Sequence, residues 1–276
     1  MSNQIAYCGV KGAYSHIAAG KIFPEGEFRA YPNFRLAYEA VEKGECRYVV
    51  LPIENSTAGD VGSNVDMIFE GSLWINGIYE LHITHNLLGK PGTPLDEIRE
   101  VISHPQALEQ CGSYLEEHGF HIQSAQNTAI AAKEVAEGKN PYIAAIASKE
   151  TAKLYGLSIL AEGINECDNN TTRFAVLSKT RNAGRKKENQ FVLMFTVRHE
   201  AGALAKAIAI IGEYGFNMVS IKSRALKGLL WQYYFCVEVE GDGNSMNCSQ
   251  MCKDLHEYCD KLKVVGTYEA HKLLED

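Results

Sequence analysis

The stretch Cys167-Asp168-Asn169-Asn170-Thr171-Thr172-Arg173-Phe174-Ala175-Val176-Leu177 changes character midway. Its first half is a polar cluster unsuited to a strand interior. From Phe174 to Leu177 it becomes a short apolar run of the kind that makes a buried strand. A polar corner feeding a buried strand can present a hydroxyl and a guanidinium side by side. Thr172 offers one small, orientable O–H, and Arg173 a planar fork of donors suited to a carboxylate. An ordinary Asn/Asp turn with a surface arginine accounts for the same residues, so the rest of the chain has to decide.

Upstream of this corner the pattern alternates between strand and helix. Residues 121–124, 142–147 and 157–160 read as strands, and 128–137 and 148–155 as helices, which makes an α/β lobe. Ser103-His104-Pro105-Gln106 is a helix start, with Ser103 or His104 as cap and the proline near the first helical position. It places a hydroxyl near a helix N-terminus, with Gln110 further along. Residues 74–88 are β-rich, and His82 and His85, three apart on a strand, point to opposite faces, which rules out a shared metal site.

The amino-terminal part repeats the alternation. Ile5-Ala6-Tyr7-Cys8 is a strand, Gly9-Val10-Lys11-Gly12 a glycine loop, and a helix begins near Ser15, an arrangement that suits an anion. The GxxG spacing does not indicate a dinucleotide. Asn33 caps a helix expected to turn Leu36, Ala37, Ala40 and Val41 inward. The buried strand 47–51 runs into a proline-started loop, Pro52-Ile53-Glu54-Asn55-Ser56-Thr57-Ala58-Gly59, where ligands sit in α/β sheets. A polar connection with a capping hydroxyl would look the same.

Composition bounds the function. Apolar residues at 46% and charged residues at 22% describe a globular chain with ample core. A net charge of -7 argues against a nucleic-acid surface. No apolar run approaches a membrane span, and the first residues lack a signal-peptide layout. Eight cysteines without a CxxC pair fit reduced thiols, so a cytoplasmic protein is expected.

Downstream, residues 181–190 are charged, glycine-containing and poor in apolar side chains, and read as a linker. Beyond them strands at 191–197, 216–224, 231–239 and 264–268, with helices at 202–214 and 248–262, give a βαββαβ, ferredoxin-like order. Cys248, Cys252, His256 and Cys259 share a helix face with Met251 and Leu255, a combination that reads as core rather than as a metal site.

Five segments in order resemble the prephenate dehydratase family followed by an ACT regulatory domain. They are Gly9-Val10-Lys11-Gly12-Ala13-Tyr14-Ser15, Pro52-Ile53-Glu54-Asn55-Ser56, Ser103-His104-Pro105-Gln106, Thr128-Ala129-Ile130-Ala131-Ala132 and Thr172-Arg173-Phe174. The resemblance covers nearly the whole chain. It implies a two-lobed, periplasmic-binding-protein-like catalytic domain over 1–180, with lobe 1 about 1–80 and 165–180 and lobe 2 about 81–164. A linker at 181–190 and an α+β ferredoxin-like ACT domain at 191–276 follow. The implied reaction is decarboxylative dehydration of prephenate to phenylpyruvate in phenylalanine biosynthesis, by a carbon–oxygen lyase without metal or organic cofactor.

By that resemblance Thr172, Glu54 and Ser103 are the catalytic candidates, Thr172 hydrogen-bonding the departing hydroxyl and Glu54 serving as an acid if buried. Arg173, Asn55, Ser56, Gln110 and Phe174 are the substrate-binding candidates, with Arg173 on a carboxylate. Gly202-Ala203-Leu204 resembles a phenylalanine-binding turn, with Asn217 and Met218 near the facing edge, and the implied assembly is a homodimer or homotetramer. Where the family carries Glu-Ser-Arg-Pro, this chain has Lys222-Ser223-Arg224-Ala225, which reverses one charge and removes a fixed φ. An arogenate dehydratase shares every one of these features, and a non-catalytic amino-acid sensor shares the fold. No long helical segment precedes Ile5, so chorismate mutase activity is not expected.

Overall fold

A computed structural model describes residues 3–181 and 188–275. The chain is an α/β protein with mixed sheets, and its described residues fall into two compact units. One gathers 3–61, 80–174 and 273–275; the other gathers 62–79, 175–181 and 188–272. Most of the expected linker, 182–187, lies outside the described residues. Among the described residues no helix is long and apolar enough to cross a membrane.

In the first unit the strand Gln4–Cys8 lies between Glu27–Tyr31 and Tyr48–Asn55, parallel to both. Parallel neighbours need crossovers, supplied by the helices Tyr14–Ile22 and Phe34–Glu42. Asn33 caps the second helix as expected, its Oδ1 accepting from Leu36 N at 2.9 Å. Ala37, Ala40 and Val41 are buried, whereas Leu36 is exposed, because the cap sets it on the outer side of the first turn. Residues 52–55 are strand rather than loop, because Glu54 and Asn55 pair with the short return strand Gly59–Asp60. Thr171 to Arg173 are likewise strand, in Thr171–Ser178, and Ser56 N donates to Thr171 O at 2.8 Å.

The same unit holds a second sheet, in the order Ser158–Ala161, Asn86–Gly89, Ile143–Ala147, Glu100–Ser103, His121–Ser124. Its last three strands are parallel and its first two antiparallel. The helices Pro105–Glu109 and Thr128–Glu137 each start a few residues beyond a strand end, so their N-termini lie at the carboxyl edge of that sheet.

The second unit contains Gln190–Thr196, Ala203–Glu213, Asn217–Ala225, Tyr233–Glu240, Met246–Leu255 and Leu262–Tyr268, in the order βαββαβ. Its antiparallel sheet runs Asn217–Ala225, Tyr233–Glu240, Gln190–Thr196, Leu262–Tyr268. Alternate residues Phe191, Leu193 and Phe195 meet Ala207, Ile211, Met251 and Leu255 of the helices. Cys248 and Cys259 are buried in that core, although the helix ends at Leu255 and leaves Cys259 beyond it.

The helix Gly62–Glu70 belongs to this unit. Phe69 stacks on Tyr234 at 4.1 Å. Asp66 Oδ1 accepts from Arg224 Nε at 2.8 Å and Tyr234 Oη at 2.7 Å, and Lys227 Nζ lies 3.2 Å from Oδ2. Lys263 Nζ donates to the carbonyls of Ile68 and Gly71 at the helix C-terminus, where a cation is favoured. The fit is close, since a Cβ on Gly62 would come within 2.3 Å of Arg224 Nη2. Burial pushes the Asp66 carboxyl up, but its three donors outweigh this and hold it below the ordinary 3.8. A folded-state value below the unfolded one stabilises above pH 3.8 and is lost as pH falls through the folded value. Replacing Asp66 by Ala is expected to cost about 3 kcal/mol at neutral pH, since it strands a partly buried arginine. Both tryptophans, Trp74 and Trp231, lie in this unit, so urea denaturation followed by their fluorescence reads the loss. The gap between variant and parent should narrow as the pH enters the carboxylate range.

Candidate active site

A cavity of about 590 Å³ opens in the first unit. Three helix starts face it, beside that of the short helix Pro105–Glu109. Tyr14–Ile22 follows a loop in which Gly9 and Gly12 take φ of 102° and 88°, and its N-cap is Ala13, which has no side chain to satisfy the first-turn amides. Phe34–Glu42 and Thr128–Glu137 begin at Asn33 and Asn127, whose side chains each accept a backbone N–H. Three helix dipoles therefore bring positive potential to the cavity. The remaining wall includes Cys8, Asn55, His85, His104, Gln110, Thr172 and Phe174.

At its centre is a hydrogen-bonded chain whose direction can be read without seeing a hydrogen. Asn55 Oδ1 receives the backbone N–H groups of Thr57 at 3.1 Å and Ala58 at 2.9 Å. Backbone amides only donate, so this atom is the oxygen and the other is the NH₂. Asn55 Nδ2 then donates to Thr172 Oγ1 at 3.0 Å and Asn170 Oδ1 at 2.8 Å. Asn170 Nδ2 in turn donates to Gln110 Oε1 at 3.0 Å. Gln110 Oε1 also faces His85 Nε2 at 3.0 Å, which assigns a proton to Nε2. Gln110 Nε2 donates to Thr57 Oγ1, which donates to Asn55 Oδ1. Thr172 accepts from Asn55, so its own proton is available to a ligand.

The strand alternation separates residues expected together. Thr172 and Phe174 line the cavity; Arg173, between them, does not. Asn55 lines it; Glu54 does not. The two excluded side chains meet each other, Arg173 Nη1 donating to Glu54 Oε2 at 3.1 Å. A hydroxyl and a guanidinium presented side by side to one ligand is therefore not what adjacent strand residues provide, and the expectation is corrected. Ser56 fastens the two strand ends, its Oγ donating to Asn169 O and accepting from Thr171 N, both at 3.0 Å. Ser103 is fully buried at the end of its strand and donates to Ile146 O at 2.7 Å, so His104 is the helix cap. Of the eight expected catalytic and substrate-binding residues, the cavity unites Thr172, Asn55, Gln110 and Phe174.

Sequence reasoning missed His85, Asn170, Thr57 and Tyr14. The sequence pattern excludes a shared metal site for His82 and His85 and assigns His85 no other role. In fact the strand Trp74–His82 ends at His82, leaving His82 exposed and His85 buried. The usable signal was Asn170 itself, an asparagine one step before a strand facing Thr172. Burial lowers the titration of His85 and of His104 and raises that of Tyr14, while it pushes the Cys8 thiol up to about 11. The polar groups of the cavity are therefore uncharged near neutral pH.

A family model described as prephenate dehydratase matches residues 5–182. A curated relative, arogenate dehydratase/prephenate dehydratase 2 of Arabidopsis thaliana, is 35% identical over 275 residues, covering 96% of this chain and 72% of the relative. A solved prephenate dehydratase of Arthrobacter aurescens, in complex with L-Phe, superposes with a TM-score of 0.87 at 26% identity, over 96% of this chain and 90% of the other. A structure described as GqqA, a novel type of quorum quenching acylase, superposes at 0.86 and 30% identity, over 97% and 98%. A model that spans the first two thirds of the chain, and a relative aligned along nearly all of it, agree with the motifs and with the cavity they surround: this chain belongs to the prephenate dehydratase family and is a lyase.

Proposed function

We propose that the enzyme converts prephenate to phenylpyruvate, carbon dioxide and water in phenylalanine biosynthesis. The observation that carries this reading is the forced polarity at Thr172, whose oxygen accepts from Asn55 and whose proton therefore points elsewhere. In the reaction the bond from the ring to its carboxylate breaks and the electron pair moves through the ring. The carbon–oxygen bond opposite breaks, and the departing hydroxide leaves as water after gaining one proton. Aromatisation drives both steps. The protein's work is to hold the dianion and to assist the departing oxygen.

Thr172 donates its hydrogen bond to that oxygen, and Asn55 supports it from behind. A threonine is too weak an acid to be the ultimate proton source, so it orients or relays a proton. Glu54, turned from the cavity and paired with Arg173, is not placed to be that source, and the Arg173–Glu54 pair instead braces the two strands that carry Thr172 and Asn55. The substrate carboxylates fall to the helix starts, most of all the uncapped one at Ala13.

The same geometry argues against a nucleophilic role for Thr172. A nucleophilic hydroxyl needs a base to accept its proton, whereas the group bonded to Thr172 Oγ1 can only donate. Arogenate differs in the side chain remote from the departing hydroxyl, so both substrates have to be compared at equal concentration.

The βαββαβ part of the second unit serves as an ACT regulatory domain at 191–276, after a catalytic domain at 1–180 and a linker at 181–190, and the helix Gly62–Glu70 is the catalytic domain's segment that clusters with it. The catalytic part is of the two-lobed, periplasmic-binding-protein-like kind. Gly202, with φ of 83°, opens the helix that starts at Ala203, and Leu204 and Met218 pack against the core below it. Asn217 Nδ2 donates to Glu240 Oε2 at 2.9 Å across the strand pair. Together these residues form the phenylalanine site, in a cytoplasmic homodimer or homotetramer. The phenylalanine-bound relative supports this reading.

Thr172→Ala should lower kcat by roughly 10²-fold or more with the fold intact, while Thr172→Ser, which keeps the hydroxyl, retains most of the activity. Steady-state release of phenylpyruvate measures both, and near-normal turnover by Thr172→Ala would refute the role. Phenylalanine should bind by calorimetry and inhibit, and Gly202→Val, which places a β-branched residue at positive φ, should weaken both effects. No heat and no change in rate would leave the second domain without a sensing role.

A further inference from the structure

We propose that His85 takes up a proton when a dicarboxylate enters the cavity and so becomes its cationic side chain. The inference rests on the functional reading above, which supplies the dianion. Among the described residues, none that lines the cavity is an arginine, lysine, aspartate or glutamate. Two are histidines, and the structure distinguishes them.

His104 is committed to the neutral form. Its Nδ1 accepts the backbone N–H of Gln106 at 3.2 Å as the cap of Pro105–Glu109. A proton on Nδ1 would oppose that N–H and remove the cap. His85 has no such conflict, because both of its ring nitrogens face oxygen atoms. Nε2 already donates to Gln110 Oε1 at 3.0 Å, and Nδ1 lies 3.3 Å from Tyr14 Oη. Tyr14 can give its own proton to Thr84 O at 3.0 Å and receive one from Nδ1, so the imidazolium would be satisfied at both ends without any side chain moving.

The groups around His85 favour this exchange. From the first helix Tyr14 stays a phenol, pushed up by burial and then by Glu150 and Cys111. The other titratable group that acts on His85 among the described residues is His104, neutral as argued. Burial keeps His85 below the ordinary histidine value of 6.5, outweighing the Gln110 oxygen that favours the charged form. A dianion supplies the missing counter-charge and reverses the balance.

The test uses Thr172→Ala, which binds without rapid turnover, titrated with prephenate at pH 7.5 in buffers of different ionisation enthalpy. A net proton should be taken up on binding. Between the free-state and the bound-state pKa of His85, affinity should fall tenfold per pH unit, and above the bound-state pKa it should level off. Adding His85→Gln should weaken binding and abolish both the uptake and that slope. A histidine serving only to position Gln110 would lower stability and leave the proton count unchanged. If His85→Gln does not fold, the ring nitrogen shifts of His85 in Thr172→Ala read the same event, moving to the imidazolium pattern as prephenate is added. Binding without uptake, uptake that persists in His85→Gln, or a ring that stays neutral would each overturn the proposal. Failure of prephenate to bind would overturn it together with the functional reading, and is distinguishable from the other outcomes by the absence of heat.

Discussion

The two backbone N–H groups that point at Asn55 Oδ1 set the chemistry of the whole cavity. They fix the amide so that its nitrogen faces Thr172 and Asn170, and each later partner inherits its direction from that one constraint. A buried amide network with every member satisfied has one arrangement, since reversing one member would leave two donors or two acceptors facing each other. A turn of backbone after Asn55 thus determines which way a hydroxyl proton points on a strand more than a hundred residues later in the chain.

The charges are handled differently in the two units. The cavity wall is neutral, and its attraction for anions comes from helix starts, which need no mobile cation that water would otherwise solvate. The full charges near it are paired off on the other face of the same strands, as Arg173 with Glu54. In the second unit Asp66 gathers two cations and a phenol and anchors a helix to the sheet. The Lys222-Ser223-Arg224-Ala225 stretch contributes the arginine of that anchor, so the part of the motif this chain retains has a structural use.

Much of the architecture could be read along the chain. The cap at Asn33, the glycine turn after Cys8, the helix pattern at 148–155 and the strand pattern at 191–197 are local signals, and each produced the element expected of it. The failures occur where a partner from far along the chain changes the local outcome. Pro52 to Asn55 looks like loop until Gly59–Asp60 returns to pair with it. The helix Gly62–Glu70 was expected in the first lobe, yet it packs with Tyr234, Arg224 and Lys263.

The amino-acid order alone determined which residue types were available for chemistry: a threonine, amides and histidines, in segments matching one family. It could not show which of two neighbours would face the ligand. In Thr172-Arg173 and in Glu54-Asn55 that was decided by the strand pleat, a period of two whose phase depends on long-range pairing. The same long-range pairing brought Asn170, Gln110 and His85 to one side of a cavity, and no spacing between 85, 110 and 170 encodes it.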